Sequence, residues 1–293
     1  MLVNFIILNY NSAIETIELY DKIKTSYKFQ YRISVIDNAS DDFHKKLLID
    51  KIAIEDLIIN KVNLGYSAGN KLGIMKAIDF NIPYVFLLNP DIRIEESTVQ
   101  HLLNEIEKDP KIAAIGPRIC YRSNLNRIYS DGGIIDLSYG VFTTHLNYNK
   151  LNSEVKNLNT PHIVDYVNGS VFLARTSVFK EIGFMLNDFF LYFEETEWCI
   201  RAKNNGYKLM VDSRVSAYHL SSKKGKTYYY YMERNRLLMA KLLKINYSTV
   251  LFNSNKDIVK ELIKCIKQRK FPDDILKARI KGCLAGFFQR IKN

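Results

Sequence analysis

Through the first half of the chain, apolar residues gather in short dense runs separated by segments of helical spacing. Val3 to Leu8, Arg32 to Ile36, Leu57 to Ile59, Tyr84 to Leu88 and Ile112 to Ile115 read as strands. Between the first two, Ser12 and Glu15 form the S-x-x-E pattern of a capping box, opening an amphipathic helix through Ile17, Leu19 and Ile23. A second helix is expected from near Ser67 to about Asp79, before Pro83 interrupts the pattern. Such alternation predicts an α/β fold, a mixed and mostly parallel sheet flanked by helices.

From Gly116 to Pro161 the pattern loosens into Asn, Ser, Tyr and Gly with short β-like pieces. A strand is expected again over Ile163 to Ala174, then a helix stopping at Gly183 and another from about Glu194 to Gly206, each closed by glycine. Two short strands follow, around Leu209 and Val215. Beyond His219 the chain turns basic and helical, over Tyr228 to Lys244, 256 to 270 and about 274 to 291. This predicts a main unit over 1–222, divided near 116/117, and a basic helical C-terminal extension over 223–293.

Composition narrows the class. Nineteen Tyr and sixteen Phe among 293 residues supply a real core and argue against disorder. No apolar run reaches the roughly 18 residues of a membrane span. Met1 to Leu8 lacks a basic leader and reads as a buried strand, so a cytoplasmic location is expected. Cys120, Cys199, Cys265 and Cys283 are scattered without a CxxC pair, which speaks against a zinc site or a disulfide framework. The net charge of +11 is uneven, with eleven Lys/Arg against four Asp/Glu in residues 256–293. Nucleic acid, anionic lipid and a phosphorylated substrate all suit such a patch, and charge alone does not choose.

No GxGxxG follows the first strand, which ends in Asn9-Tyr10-Asn11-Ser12, and no P-loop occurs, so a simple dehydrogenase or NTPase is a poor match. The strand ends offer polar side chains instead: Asn9, Asn11, Asp37, Asn38, Asn63, Asn89 and Asp91. Singly each fits an Asx turn or helix cap. Their recurrence at four strand ends points to one crevice, because ligands of open α/β sheets bind beyond the carboxyl ends of the strands. Asp91, just past a buried strand in Asn89-Pro90-Asp91, suits a hard divalent cation bridging two phosphates, although a plain turn accounts for these three residues equally well. Asp188 to Arg201 places Glu194, Glu195 and Glu197 directly after an aromatic run. Acidic residues favour a first helical turn through the helix dipole. Alternatively, one of them in a partly dry site serves as general base, with burial raising its pKa. His219 ends a strand and is followed by the Lys-rich loop containing Lys223, Lys224 and Lys226, a segment suited to face a diphosphate.

In this order the motifs resemble family 2 glycosyltransferases of the GT-A fold, in particular the bacterial rhamnosyltransferase-like branch. The matching stretches are Ile6 to Asn11, Val35 to Ser40, Asn63 to Asn70, Leu87 to Asp91, Gly169 to Arg175, Phe189 to Arg201 and Ala217 to His219, together spanning roughly residues 3–236. The resemblance implies a nucleotide-binding half to about 116 and an acceptor-binding half over about 117–222. It places Asn9, Tyr10, Asp37, Asn63, Gly65, Asn70 and Asn89 at the nucleotide, with Asn89 standing for the first aspartate of the family's DxD element. It places Asp91 and His219 at Mg2+ or Mn2+, and Glu195 as general base where the family usually has aspartate. Glu194, Glu197, Gly169 and Trp198 fall at the donor and acceptor sugars. The implied reaction is inverting transfer from a UDP-hexose or dTDP-rhamnose to a glycan hydroxyl, carried on a polyprenyl diphosphate, in O-antigen or capsule synthesis. A non-catalytic sugar-binding protein of the same fold is the alternative, and nucleic acid is not an expected partner.

In the tail, Ile258, Val259, Leu262, Ile263 and Ile266 keep helical spacing with Lys256, Lys260, Lys264 and Lys267 mostly opposite. A basic amphipathic helix can lie in an anionic membrane interface, or simply pack on the main unit with its Lys face in water.

Overall fold

The computed structural model describes residues 2–138, 140–155, 158–220 and 224–291. The first half alternates β1 (Val3–Asn9), α1 (Ala13–Ser26), β2 (Tyr31–Asp37), α2 (Asp42–Lys51), β3 (Leu57–Ile59), α3 (Gly65–Asp79) and β4 (Tyr84–Leu88). These strands pair in parallel in the order β3-β2-β1-β4, with Ile6 of β1 lying between Ser34 and Leu87. The apolar runs are continuous because both faces of the sheet are covered. Phe5 and Ile7 pack into one buried cluster with Leu19 and Ile23 of α1, while Ile6 faces Ile74 and Ala77 of α3 on the other side.

Next come β5 (Ile92–Ile94), α4 (Glu96–Glu107), β6 (Ile112–Tyr121), β7 (Asn124–Ser130), β8 (Gly133–Asp136), β9 (Phe142–His145), β10 (His162–Ile163), β11 (Val171–Arg175), α5 (Thr176–Ile182), α6 (Glu194–Asn204) and β12 (Lys208–His219). The sheet continues from β4 through β11, β6 and β12 to β10, with β5 paired to β12 and β7 to β6. β11 runs antiparallel to both β4 and β6, whereas β12 is parallel to β6. Three helices close the chain: α7 (Lys226–Leu242), α8 (Tyr247–Lys267) and α9 (Asp274–Phe288).

The expected mixed α/β sheet with a helical C-terminal region is present, and four local expectations are corrected. Ser12 sits at the N-cap of α1 without a side-chain cap bond, because Glu15 turns to Arg93 (2.5 Å) and Arg122 (2.8 Å). Two guanidinium groups offer the carboxylate stronger bonds than one backbone amide. The strand expected over Ile163 to Ala174 divides into β10 and β11, since Val164 and Tyr166 bond to Leu209 and Gly133 across a loop. Conversely, the strands expected at Leu209 and Val215 are one strand, β12, whose register shifts between Asp212 and Ser216. The helix expected from 256 begins at Tyr247, capped by Asn246, whose side chain accepts from the Thr249 amide. Gly183 (φ 84°) and Gly206 (φ 83°) stop their helices as expected.

α3 lies unusually close to β1. A Cβ at Gly69 would stand 2.5 Å from Leu8 Cδ1, and one at Gly73 would stand 2.8 Å from Ile6 Cγ2. The Gly69 and Gly73 spacing puts hydrogens where the strand needs room. Gly73→Val should therefore destabilise the fold by about 1–3 kcal/mol through overpacking against the fully buried Ile6. Urea unfolding measures this, and an unchanged midpoint would refute close packing at that position.

Candidate active site

The carboxyl ends of β1, β2 and β3 are bound into one polar network. Asn9 donates to Asp37 Oδ1 and Ser40 Oγ (both 2.9 Å) and accepts from Thr16 Oγ1 (2.8 Å). Asp37 is buried, and its second oxygen accepts from the Ser40 amide at 3.3 Å. Asn38 donates to Asn63 Oδ1 (2.8 Å) and to the Gly65 carbonyl (3.1 Å), fixing the turn that starts α3. Gly65 is required there, because its φ is 79° and a Cβ would lie 2.4 Å from the Phe190 carbonyl oxygen. Tyr10 stands exposed at the rim.

Asn89 leaves β4 and its amide donates to the Ser170 carbonyl (3.0 Å) at the start of β11. The antiparallel register of β5 and β12 sets His219 opposite Ile92, so that His219 Nε2 lies 3.3 Å from Asp91 Oδ2. Arg122 holds the turn from behind, bonding the Asp91 carbonyl (3.4 Å) and Glu15. Burial pushes the Asp91 carboxyl up and the His219 imidazole down, each opposed by the other's charge. His219 Nδ1 is buried without a hydrogen-bond partner among the described residues. A carboxylate and an imidazole nitrogen, both short of compensating charge, fit a divalent cation; the mixed donor set suits Mn2+ better than the all-oxygen preference of Mg2+.

Glu194 and Glu195 open α6 on the neighbouring wall. Glu194 is buried and Glu195 half-buried, yet the Oε2 of each is enclosed with no hydrogen-bond partner among the described residues. Desolvation raises Glu195 to about 7. Glu194 is pushed well above the usual carboxylate range by desolvation and then by the charge of Glu195. A Cβ on Gly169 would lie 3.6 Å from the Glu195 carboxyl carbon. Gly169 and Ser170 thus join the two walls, one residue beside Glu195 and the next bonded to Asn89. Tyr66, whose hydroxyl donates to the Gly169 carbonyl, is held fully protonated by burial and by both carboxylates.

Other expected residues sit elsewhere. Glu197 does not share the open face with Glu194: Arg201 holds it through two bonds of 2.8 Å. Trp198 is fully buried, stacked on Phe179 at 4.6 Å and donating to the Gly183 carbonyl, so it is core. Asn70 is buried and its amide caps the Tyr66 carbonyl within α3. Lys226 pairs with Asp274 of α9 at 2.6 Å, and Lys224 lies 4.9 Å over the Tyr228 ring. Lys223 falls outside the described residues.

Sequence reasoning missed an aromatic wall. Tyr129 of β7 packs at a tilt against His219 (5.1 Å) and His145 (5.2 Å), and Tyr192 meets Tyr228 edge-on at 5.2 Å. Burial lowers His145 to about 4, so this ring is neutral at physiological pH. It also missed Asn235 and Arg234 of α7, which bond the backbone ahead of Glu194. The run Glu233-Arg234-Asn235 between the apolar stretches 228–232 and 237–240 was the available signal, since buried polar groups need partners. A further cluster, His101, Glu105 and Asp212, brings ligand atoms within 4.8 Å of one another. Arg214 already fills it, bonding Asp212 (2.5 Å) and Glu105 (2.9 Å), and so it ties α4 to β12 rather than offering a metal site.

Residues 5–183 match the family model of glycosyl transferase family 2. The low-salt glycan biosynthesis hexosyltransferase Agl10 of Haloferax volcanii is 30% identical over 220 residues, which cover 74% of this chain and 66% of that protein. Among solved structures, GalNAc-T7 with UDP, GalNAc and Mn2+ superposes with a TM-score of 0.62 at 17% identity, over 80% of this chain and 48% of that one. The Pyrobaculum calidifontis mannosyltransferase PcManGT, in complex with GDP-Man and Mn2+, gives 0.60 at 12% identity, over 98% and 87%. These likenesses show the fold, the GT-A architecture expected from the sequence.

Because burial raises the folded pKa of Glu195 above the unfolded value, its ionisation disfavours the native state, and the cost grows as pH rises from about 4.5 through about 7. Glu195→Gln should therefore be the more stable protein at pH 8, by roughly 2–3 kcal/mol, with the gain vanishing near pH 4. Parallel urea titrations of both proteins test this; a variant no more stable than the wild type at pH 8 would contradict the raised pKa.

Proposed function

The chain belongs to glycosyl transferase family 2, and from that premise we propose that it is an inverting, metal-dependent hexosyltransferase. In this reading it moves a sugar from a UDP-hexose or dTDP-rhamnose to a hydroxyl of a glycan, itself lipid-linked, in surface polysaccharide synthesis of the O-antigen or capsule kind. The observation that carries the proposal is Glu195: a carboxylate with an enclosed oxygen, raised to about 7, one glycine away from the strand end that precedes Asp91. The hexosyltransferase relative and the nucleotide-bound neighbours support the same chemistry.

At neutral pH a large share of Glu195 is ionised and ready to take the acceptor hydroxyl's proton. As that oxygen bonds to the anomeric carbon, the bond from this carbon to the diphosphate oxygen breaks on the opposite face. The proton ends on Glu195, the electron pair on the leaving diphosphate, and the anomeric centre is inverted. Asp91 and His219 would hold Mn2+ or Mg2+, which neutralises charge on a diphosphate. In this reading Asn9 and Asp37 brace the nucleotide end from beneath, Tyr10, Asn63, Gly65 and Asn89 face it, and Asn70 steadies the first turn of α3. Glu194 and Gly169 would border the sugars, and Lys224 would approach the diphosphate. Residues 1–222 are the catalytic unit in this reading.

The same proposal includes peripheral association with an anionic membrane face. Phe252, Val259, Ile263 and Ile266 form one exposed stripe along α8, continued by Phe271, and Lys256, Lys260 and Lys267 flank it. Its opposite face packs through Val250 and Ile258 onto α7 and α9. Among the described residues no helix is long and apolar enough to cross a membrane.

Two outcomes are expected. Glu195→Gln should lose about 10²–10⁴-fold in kcat while binding the donor normally, and wild-type kcat should fall as pH drops below about 7 and the base is protonated. Near-normal turnover of the variant would overturn the assignment. In flotation with phosphatidylglycerol vesicles, the double variant Phe252→Asp, Ile266→Asp should stay in the soluble fraction while wild type floats. Equal flotation of both proteins would remove α8 from the membrane contact.

A further inference from the structure

The turn leading into Glu194 and Glu195 is conformationally costly. Phe190 (φ 57°), Tyr192 (φ 67°) and Phe193 (φ 72°) all occupy the left-handed half of backbone space, which bulky side chains rarely adopt. Such a turn persists only when its surroundings over-determine it. Two elements do so here. On one side the Tyr66 amide donates to the Phe190 carbonyl at 2.6 Å, at the glycine-tight start of α3. On the other, Asn235 of α7, fully buried, directs its Nδ2 at the carbonyls of Phe189 (2.8 Å), Leu191 (2.8 Å) and Tyr192 (2.7 Å). Two amide hydrogens serve three acceptors, so one of them is shared. Arg234 donates from Nη2 to the Asp188 (2.5 Å) and Phe189 (2.8 Å) carbonyls, and from Nε to Asn235 Oδ1 (2.8 Å), which fixes which way the amide points.

We propose that Arg234 and Asn235 are positioning residues for glycosyl transfer, a clamp that holds the strained Phe189 to Phe193 turn and thereby places the Glu195 carboxylate beside Gly169. Neither touches the carboxylate; both act through the turn. The clamp belongs to α7, outside the segment matched by the family model, so the C-terminal region completes the site rather than merely trailing it. Gly286 of α9 packs at 2.6 Å (as a hypothetical Cβ) from the Arg234 carbonyl, and Arg279 of α9 holds the adjacent Glu233 at 2.9 Å, so the helical extension backs the clamp directly.

The inference rests on Glu195 being the base, and its test separates the two ideas. In Asn235→Ala, kcat should fall at least about tenfold while donor KM changes less than about threefold, because misplacing a reacting group costs turnover more than binding. Amide hydrogen exchange should rise over residues 187–195 and stay unchanged in the sheet. Wild-type kcat with wild-type exchange over 187–195 would overturn the clamp. If that variant does not fold, Arg234→Lys keeps the charge but removes the fork to two carbonyls; full turnover with unaltered exchange there refutes the proposal equally. Should Glu195→Gln remain active, the base assignment falls, while the exchange result still decides the clamp.

Discussion

Two adjacent carboxylates, each with one oxygen enclosed and without a hydrogen-bond partner among the described residues, impose the constraint around which this molecule is arranged. Taking a carboxylate out of water costs several kcal/mol even after relaxation, and among the described residues no ion pair offsets it at Glu194 or Glu195. The sites are tolerated because desolvation raises both carboxyl pKa values and so favours the uncharged form, and they are held in place by rigid surroundings. Trp198 and Phe179 anchor α6 in the core, Arg201 locks Glu197 one turn on, and the turn before Glu194 is gripped from two sides. Left-handed conformations at three bulky residues cost of order 1–3 kcal/mol each, so the packing of α7 and α3 must return that energy.

The sheet supplies the second half of the arrangement. Parallel strands β3, β2, β1 and β4 align their carboxyl ends, and those of β1, β2 and β3 gather asparagine and aspartate into one network. Inserting β11 antiparallel between β4 and β6 brings its first residues to the end of β4. Gly169 and Ser170 therefore touch both the Glu195 carboxylate and the Asn89 turn. A substituent at Gly169 would fill the narrow space between the walls, which gives its lack of a side chain a reason.

Much of this was legible in the sequence because period and position report directly on burial. Leu57 to Ile59 and Tyr84 to Leu88 form strands with the predicted ends, and the polar residues after β1, β2 and β3 do join by hydrogen bonds. Asp91 and His219 meet through a long-range strand register that motif order anticipates and local pattern cannot. What escaped was decided by tertiary partners. Glu15 left its expected cap for two distant arginines, Arg93 in β5 and Arg122 just past β6. Glu197 and Trp198 sit in the same acidic-aromatic run as Glu195, and helical spacing alone does not tell which face meets the core and which the crevice. Residues 116–161 carry no clear period, yet they deliver Tyr129 and His145 to the wall beside His219, because short antiparallel pieces are specified by pairing rather than by local propensity. Asn235 and Arg234 lay within a region read only for its charge.

The central claim is that burial tunes one glutamate, Glu195, into the neutral range. Carboxyl-carbon NMR of glutamate-labelled protein across pH 3–9 measures it directly. The account predicts one resonance titrating near pH 7 that is absent from Glu195→Gln. If every glutamate carboxyl that titrates does so below about pH 5, as exposed carboxyls do, the account is contradicted.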